Sequence, residues 1–157
     1  MVCSCSICQR FKYDTSTSPG LLQPFPISKK VWTNISMDFL EGLPTSKGKS
    51  TILVAVDKLS KYTHFIPLSH SYTAASIAQV FLDNVYKLHR LPSSIVSEHD
   101  KVFISKFWHE LFKLMGTKIN LSTSYHPQSN GQTEVVNWSL QTYLRCMMSE
   151  RLRDWVN

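Results

Sequence analysis

The sequence predicts an α/β domain in which helices pack on a mixed five-stranded sheet. Three closely spaced strand-like segments come first, and their spacing favours an antiparallel meander. Strands and helices then alternate, so that the predicted order is β-β-β-α-β-α-β-α. A length of 157 residues with 43% hydrophobic residues is enough for one domain with a packed core.

The strands of the meander are predicted from short runs of apolar and β-branched residues. The first run covers residues 31–40 and is followed by a turn rich in glycine and proline. The second, residues 51–56, is continuously apolar, which is typical of a central strand. The third covers residues 62–68, and Pro67 within it favours an edge position or a strand end.

The second part of the chain predicts three helices separated by two short strands. The first helix starts at the cap Thr73 and ends near His89, the second covers residues 103–116, and the third runs from about Gln132 past Met147. The strands between them are residues 94–98 and 118–121. The side chains predicted to face the core are Ile77, Ala78, Phe81, Val85 and Leu88 in the first helix, Phe107, Trp108, Leu111, Phe112 and Met115 in the second, and Val136, Leu140, Tyr143, Leu144 and Met147 in the third.

Composition limits the classes of function without selecting one. The net charge of +6 is compatible with a polyanionic partner, although charge alone is weak support for one. The sequence contains no apolar run long enough for a membrane span and no signal peptide. Three of the four cysteines lie within the first eight residues, which does not resemble a disulfide framework. We therefore expect an intracellular protein, nuclear or cytoplasmic.

Three acidic residues carry most of the functional information. Asp38 lies within the first predicted strand, Glu98 closes the fourth, and Glu134 lies near the start of the third helix. If the two strands are neighbours, their carboxylates converge, because ligand sites commonly lie at the carboxyl ends of sheet strands. Hard oxygen ligands gathered in this way suit Mg²⁺ or Mn²⁺, and a metal pair would support phosphoryl transfer on nucleic acid. Glu134 also has a purely structural interpretation, since acids complement the dipole at a helix N-terminus.

The residues around these acids resemble a known family. The segments 32–39, 54–62 and 124–134, together with 35 residues between the last two acids, are similar to the D,D-35-E integrases of gypsy-type LTR retrotransposons and retroviruses. The resemblance covers nearly the whole chain. It implies an RNase H-like fold, and it implies DNA integration through 3′-end processing and strand transfer on element-end DNA.

The resemblance also implies which residues act. Asp38, Glu98 and Glu134 would be the catalytic residues and would hold two Mg²⁺ or Mn²⁺ ions. Members of the family work as multimers on DNA, so we expect DNA as the partner, together with further copies of the chain. The residues expected to contact DNA are Tyr125, His126 and Gln128 in a polar loop, and Asn137, Gln141 and Arg145 on the third helix.

The chain is expected to divide into three parts. Residues 1–12 hold Cys5 and Cys8, a pair that resembles the second half of the family's His-His-Cys-Cys zinc module. Residues 13–30 read as a linker, and residues 31–157 as the integrase core, truncated at its C-terminal end. This is the pattern of a polyprotein fragment. Without the histidine half of the module, we do not expect this truncated chain to bind Zn²⁺.

One departure from the family bears directly on the chemistry. The family has aspartate at the second position of the triad, where this chain has Glu98. The extra methylene carries the carboxylate roughly 1.5 Å too far, and Mg²⁺ demands near-ideal octahedral geometry. We therefore expect impaired activity, with Asp100 as an alternate metal ligand. The alternative function is that of a catalytically dead relic that keeps the fold and binds nucleic acid or protein.

Overall fold

The computed structural model describes most of the predicted core. The described residues are 29–69, 71–97, 100–121, 131–147 and 155–156, and within the last helix the side chains of residues 131–134 and 147 lie outside the description. Glu98, the loop residues Tyr125, His126 and Gln128, and the Cys5 and Cys8 pair fall outside these ranges. The predictions made for them remain predictions.

A five-stranded mixed sheet forms the centre of the molecule, as predicted. Its strands are β1 (Asn34–Leu40), β2 (Lys49–Asp57), β3 (Thr63–Ser69), β4 (Ser94–Ser97) and β5 (Lys118–Leu121). They lie in the order β3-β2-β1-β4-β5. The first three strands pair as an antiparallel meander, while β4 is parallel to both β1 and β5. The meander and the strand–helix alternation read from the sequence are both confirmed.

Three helical segments flank the sheet. Helix α1 is α-helical over Ala74–Phe81, π-helical over Leu82–Tyr86 and α-helical again over Lys87–His89. Helix α2 covers Lys106–Leu114, and α3 covers Gly131–Met147. Within the described ranges, no helix combines the length and apolarity needed to cross a bilayer.

The helix ends follow local sequence signals. Thr73 caps α1 in a reciprocal pair, since its hydroxyl accepts from the Ser76 amide and the Ser76 hydroxyl accepts from the Thr73 amide. Helix α2 starts three residues later than predicted, because Ser105 is its N-cap. Gly116 ends it at a φ of +78°. The Thr117 amide then donates to the Phe112 carbonyl, a bond that suits a glycine stop.

The two faces of the sheet carry separate cores. The larger core packs under α1 and α2 and includes Ile35 and Met37 of β1. The smaller core lies on the other face, where Leu40 of β1 and Val54 of β2 pack against α3. Side chains alternate along a strand, so Asp38 projects from β1 on the α3 side, with Leu40. This alternation positions the site discussed below.

Three side chains predicted to be in the core are exposed instead. Leu88 is 65% exposed, because the π-helical turn before it rotates the end of α1 away from the predicted stripe. Phe107 is 48% exposed, since α2 turns Trp108 and Phe112 inward. Tyr143 is 59% exposed, since α3 turns Val136, Leu140 and Leu144 toward the sheet instead. The remaining predicted core residues are buried or half-buried where described; Met147 lies outside the description.

Asp57 anchors the turn between β2 and β3. Its fully buried carboxylate accepts hydrogen bonds from the amides of Trp32 and Ser60 at 2.9 Å and from the Ser60 hydroxyl at 2.6 Å. Ser60 therefore supplies both a backbone and a side-chain donor to this carboxylate. Burial raises the pKa of Asp57, but these hydrogen bonds, with one from the Leu59 amide, outweigh burial and lower the pKa below its ordinary value.

Four rings cluster at the same end of the sheet. The Nε2 atoms of His64 and His89 lie 2.7 Å apart, with ring centroids 5.0 Å apart, so their Nε2 corners face one another and share one proton. Trp32 stacks on His89 at 3.8 Å with an interplanar angle of 4°, and Tyr62 lies edge-on to both histidines. Burial lowers the pKa of both histidines. The charge of His89 lowers the pKa of His64 further, whereas the Asp57 carboxylate raises the pKa of His89 without outweighing burial.

We predict that this pair makes folding stability depend on pH. A histidine whose pKa is lower in the folded state than its ordinary 6.5 stabilises the fold fully above pH 6.5, and this stability is lost as the pH falls through the folded pKa. Urea unfolding between pH 8 and pH 5 should therefore show a loss below pH 6.5 that His64→Phe reduces. Tyr62→Phe, which keeps both histidines, should retain the full loss of unfolding free energy. Equal pH dependence in wild type and His64→Phe would contradict the interpretation.

Candidate active site

Strand register brings the first acid next to the end of the fourth strand. Asp38 pairs with Val54 of β2 on one side. On the other side, the parallel ladder with β4 pairs Met37 with Ser97, the residues that immediately precede Asp38 and Glu98 in the sequence. The strands that carry Asp38 and end before Glu98 are therefore neighbours, which is the condition under which the sequence analysis expected their carboxylates to converge. The distance between the two carboxylates remains a prediction, because Glu98 lies outside the described residues.

The Asp38 carboxylate is held at both oxygens. Its Oδ1 accepts a hydrogen bond from the Phe39 amide at 2.8 Å. Its Oδ2 accepts one from Nδ2 of Asn137 on α3 at 2.6 Å. Because an ionised carboxylate only accepts, the Asn137 amide must turn its nitrogen toward Asp38. The half-buried acid of β1 therefore has one defined orientation relative to α3.

Asn137 also leaves an unmet hydrogen-bond acceptor at the site. Its Oδ1 is buried and has no hydrogen-bond partner in the part of the chain that the structure describes. A buried acceptor of this kind is uncommon and often marks a place where water or an ion binds. The sequence predicted Asn137 as a DNA contact and did not predict its bond to Asp38. The available signal was its position three residues after Glu134, on the same side of a helix.

Glu134 is placed by its backbone only. It lies in α3 one turn before Asn137, whose side chain reaches Asp38. Residues three apart on a helix are surface neighbours, so the geometry brings the backbone of position 134 toward the same end of β1. The orientation of its carboxylate remains a prediction, because that side chain lies outside the description.

The donor set fits a hard divalent cation. The Asp38 carboxylate and the amide oxygen of Asn137 are the oxygen ligands that Mg²⁺ and Mn²⁺ prefer. Among the side chains that the structure describes, no three His, Cys, Asp or Glu groups gather as a metal site. The predicted set needs Glu98 and Glu134, whose side chains lie outside that description, so the complete set is a proposal.

The other predicted residues that the structure describes occupy two different places. The Asp100 carboxylate accepts from the Val102 amide at 2.8 Å and so shapes the turn before α2; its use as a metal ligand is not tested by this contact. Gln141 and Arg145 line one cavity of about 220 Å³, together with Glu41 and Trp155. Glu41, which the sequence did not single out, lies three residues after Asp38, and that spacing was the only signal for it.

Comparison with known proteins agrees with this fold. The family model described as "Integrase core domain" matches residues 29–127, which is more than half of the chain. The chain belongs to the integrase core domain family, and its five-stranded mixed sheet with flanking helices is the RNase H-like fold of that family.

The similar proteins are retrotransposon polyproteins. The Transposon Tf2-3, Tf2-4 and Tf2-5 polyproteins of Schizosaccharomyces pombe are each 34% identical to this chain over 154 residues. The match covers 98% of this chain but 12% of each polyprotein, so the chain spans about an eighth of the length of these relatives. The resemblance to retrotransposon integrases read from the sequence is confirmed.

We predict that a second carboxylate at position 137 destabilises the fold in a pH-dependent way. Asn137→Asp replaces the donor to Asp38 with a like charge, and the lost bond to a charged group alone is worth about 1.5–3 kcal/mol. The decrease in the free energy of unfolding should be full at pH 7 and smaller below about pH 4, where one carboxyl of the pair binds a proton. Urea unfolding at the two pH values measures it.

The matched control for this change is Ser139→Asp, which adds the same charge to an exposed position of α3. Ser139→Asp should change the free energy of unfolding little at either pH. If Asn137→Asp and Ser139→Asp have equal effects at pH 7, the bond between Asn137 and Asp38 does not form in solution.

Proposed function

We propose that this chain is the catalytic core of a retrotransposon integrase, which processes 3′ ends of DNA and transfers them to a target strand. The observation that supports this most strongly is the position of Asp38. In a chain of the integrase family, it lies at the carboxyl-terminal part of β1, in register with the end of β4, and is bonded to α3. A carboxylate at this crossing of two parallel strands and a helix is suited to hold a divalent cation.

Asp38, Glu98 and Glu134 would hold two Mg²⁺ or Mn²⁺ ions in this proposal. When bound, such ions stabilise the charge that develops on a phosphate under in-line attack and lower the pKa of the attacking hydroxyl or water. The protein contributes orientation. The Asp38 rotamer is set by the Phe39 and Asn137 donors before any ligand arrives, so no reorganisation is needed at the moment of reaction.

Strand transfer is a balanced exchange of one phosphodiester for another. The 3′-hydroxyl oxygen of the processed DNA end forms a bond to a target phosphorus, and the bond from that phosphorus to the neighbouring target 3′ oxygen breaks. The attacking hydroxyl loses its proton and the leaving 3′ oxygen gains one. The unpartnered Oδ1 of Asn137 lies beside Asp38 and is oriented by the same amide, so it suits a hydrogen bond from a water or from a DNA hydroxyl.

The DNA partner is proposed to run along α3 and the polar loop before it. Gln141 and Arg145 follow Asn137 along the helix and line the cavity beside Glu41. Phosphate contacts from such residues position a strand without reading its sequence. The proposed contacts are Tyr125, His126 and Gln128 in the loop, and Asn137, Gln141 and Arg145 on the helix.

The remaining assignments rest on the family alone. We propose that the core begins near residue 31, after a linker, and that Cys5 and Cys8 belong to a zinc module of the family. We also propose that copies of the chain assemble on DNA, in the nucleus or the cytoplasm. Zn²⁺ has no proposed role in this chain.

A second candidate function follows from Glu98. The longer side chain displaces a metal ligand, and a displacement of about 1 Å costs on the order of 100-fold in rate. A chain with this change that still binds DNA, but transfers no strand, would be a non-catalytic relic of the fold. The two functions share the fold and differ in metal-dependent chemistry.

We predict that metal binding depends on Asp38 and that strand transfer depends on position 98. Calorimetric titration with Mn²⁺ should show binding that Asp38→Asn abolishes, because the amide removes the charge that draws the cation. Glu98→Asp should raise the rate of strand transfer with matched DNA ends by roughly 100-fold, since it restores the shorter ligand.

Asp83→Asn is the matched control for these experiments, because Asp83 is an acid on α1 that pairs with Lys87. It should leave Mn²⁺ binding and strand transfer unchanged. Binding that persists in Asp38→Asn would sink the metal assignment. Strand transfer that stays absent in Glu98→Asp, while DNA binding persists, would favour the relic.

A further inference from the structure

The side chain that follows Asp38 on β1 lies on the opposite face of the sheet, where it belongs to a group of aromatic rings. Phe39 stacks on Tyr72 with ring centroids 5.0 Å apart and an interplanar angle of 21°. It also stacks on Phe103 at 4.9 Å and 12°. Phe103 is fully buried and meets Trp108 of α2 edge-on at 5.3 Å. Near-parallel pairs at these distances each contribute beyond the area that they bury.

These rings join three segments that are distant in the sequence. Phe39 belongs to β1, Tyr72 precedes α1, and Phe103 belongs to the turn that follows β4. The stack therefore links the strand that carries Asp38 to the segment that begins at Asp100, two residues after Glu98. We call Phe39, Tyr72 and Phe103 the aromatic brace.

A hydrogen bond ties the outer ring of the brace back to β1. The Tyr72 hydroxyl donates to Oε1 of Glu41 at 2.6 Å. Burial, this bond and the negative charges of Glu41 and Asp100 raise the pKa of Tyr72 well above its ordinary value, so the hydroxyl keeps its proton and remains a donor. One tyrosine thus contacts both Phe39 and Glu41, the residues immediately before and after Leu40 in the sequence.

The brace lies next to the described end of the β1–β4 pairing, in a part of β1 that stays paired with β2 as far as Leu40. Met37 is the last residue of β1 that pairs with the described part of β4. The Phe39 amide, two residues further along β1, donates to Oδ1 of Asp38. The backbone of Phe39 therefore sets one of the two bonds that orient the acid, and the brace restrains that backbone through the Phe39 ring.

We propose that Phe39 and Tyr72 are positioning residues for Asp38: the stack and the Tyr72–Glu41 bond restrain the end of β1 and keep the Asp38 carboxylate in one rotamer. Neither ring touches the reacting atoms, because both lie on the opposite face of the sheet from the acid. The consequence for metal binding rests on the proposed function, whereas the consequence for the Asp38 rotamer does not.

The direct test is the Asp38 rotamer in the full chain without metal. Three-bond couplings measured by NMR should show one χ1 rotamer in wild type and in Tyr72→Phe, which keeps the ring. Tyr72→Leu should show averaged couplings and faster exchange of the Phe39 amide. In the same variant the dissociation constant for Mn²⁺ should rise by about 2- to 10-fold, because the free energy of one lost aromatic pair corresponds to a factor of that size.

Tyr62→Leu is the matched control, because it removes the same ring from the cluster of Trp32, His64 and His89. It should leave the Asp38 couplings, the Phe39 exchange rate and the Mn²⁺ affinity as in wild type. Glu41→Ala, a change at an exposed position, releases the Tyr72 hydroxyl without removing a ring, and should shift the same readouts in the same direction by less. It serves as the test if Tyr72→Leu does not fold.

The outcomes distinguish the positioning role of the brace from the proposed function. A single Asp38 rotamer in Tyr72→Leu, or in Glu41→Ala where that variant replaces it, would overturn the positioning role. Averaged couplings with unchanged Mn²⁺ affinity would also overturn it, provided that Asp38→Asn abolishes binding. Absence of Mn²⁺ binding in wild type would count against the proposed function alone, because the rotamer is measured without metal.

Discussion

The hydrogen bond from Asn137 to Asp38 is the interaction on which the arrangement of the site depends. It joins residues 99 positions apart and crosses from the sheet to α3. The surrounding face of the sheet is apolar, with Leu40 and Val54 beneath the helix. A carboxylate in such surroundings is costly unless its oxygens find donors. Asn137 and the Phe39 amide supply those donors, so the acid and the helix specify each other's position.

The opposite end of the sheet fixes the register that this bond requires. The β1–β2 ladder runs from Ile35 opposite Asp57 to Leu40 opposite Ile52. A slip by one residue would turn Asp38 to the other face, away from α3. The Asp57 carboxylate opposes such a slip, because it binds the Trp32 amide just before β1 and Ser60 just after β2. A buried acid with a structural role thus holds in place a second acid with a proposed catalytic role.

The sequence predicted the sheet because each strand had a local signature, whereas it left open whether the strands of Asp38 and Glu98 are neighbours. It misplaced Leu88 because a π-helical turn changes the period of a helix without any residue that marks it. It did not predict the Asn137 bond or the contacts of Phe39 with Tyr72 and Phe103, because these join segments whose approach depends on tertiary packing. Residue type indicated which groups were chemically able to act, whereas the choice of partner required the fold.

These constraints bear on how the chain accommodates the longer acid at position 98. Asp38 is held by two donors, and the strand that carries it is paired with β2 on one side and stacked through Phe39 on the other face. Asp38 therefore has little freedom to move away from the carboxylate proposed beside it at position 98. Any adjustment to the extra methylene must therefore come from the segment after Ser97, between the end of β4 and the turn anchored by Asp100 and Phe103. Because Asp38 is held rigidly, it does not move to accommodate the longer side chain of Glu98.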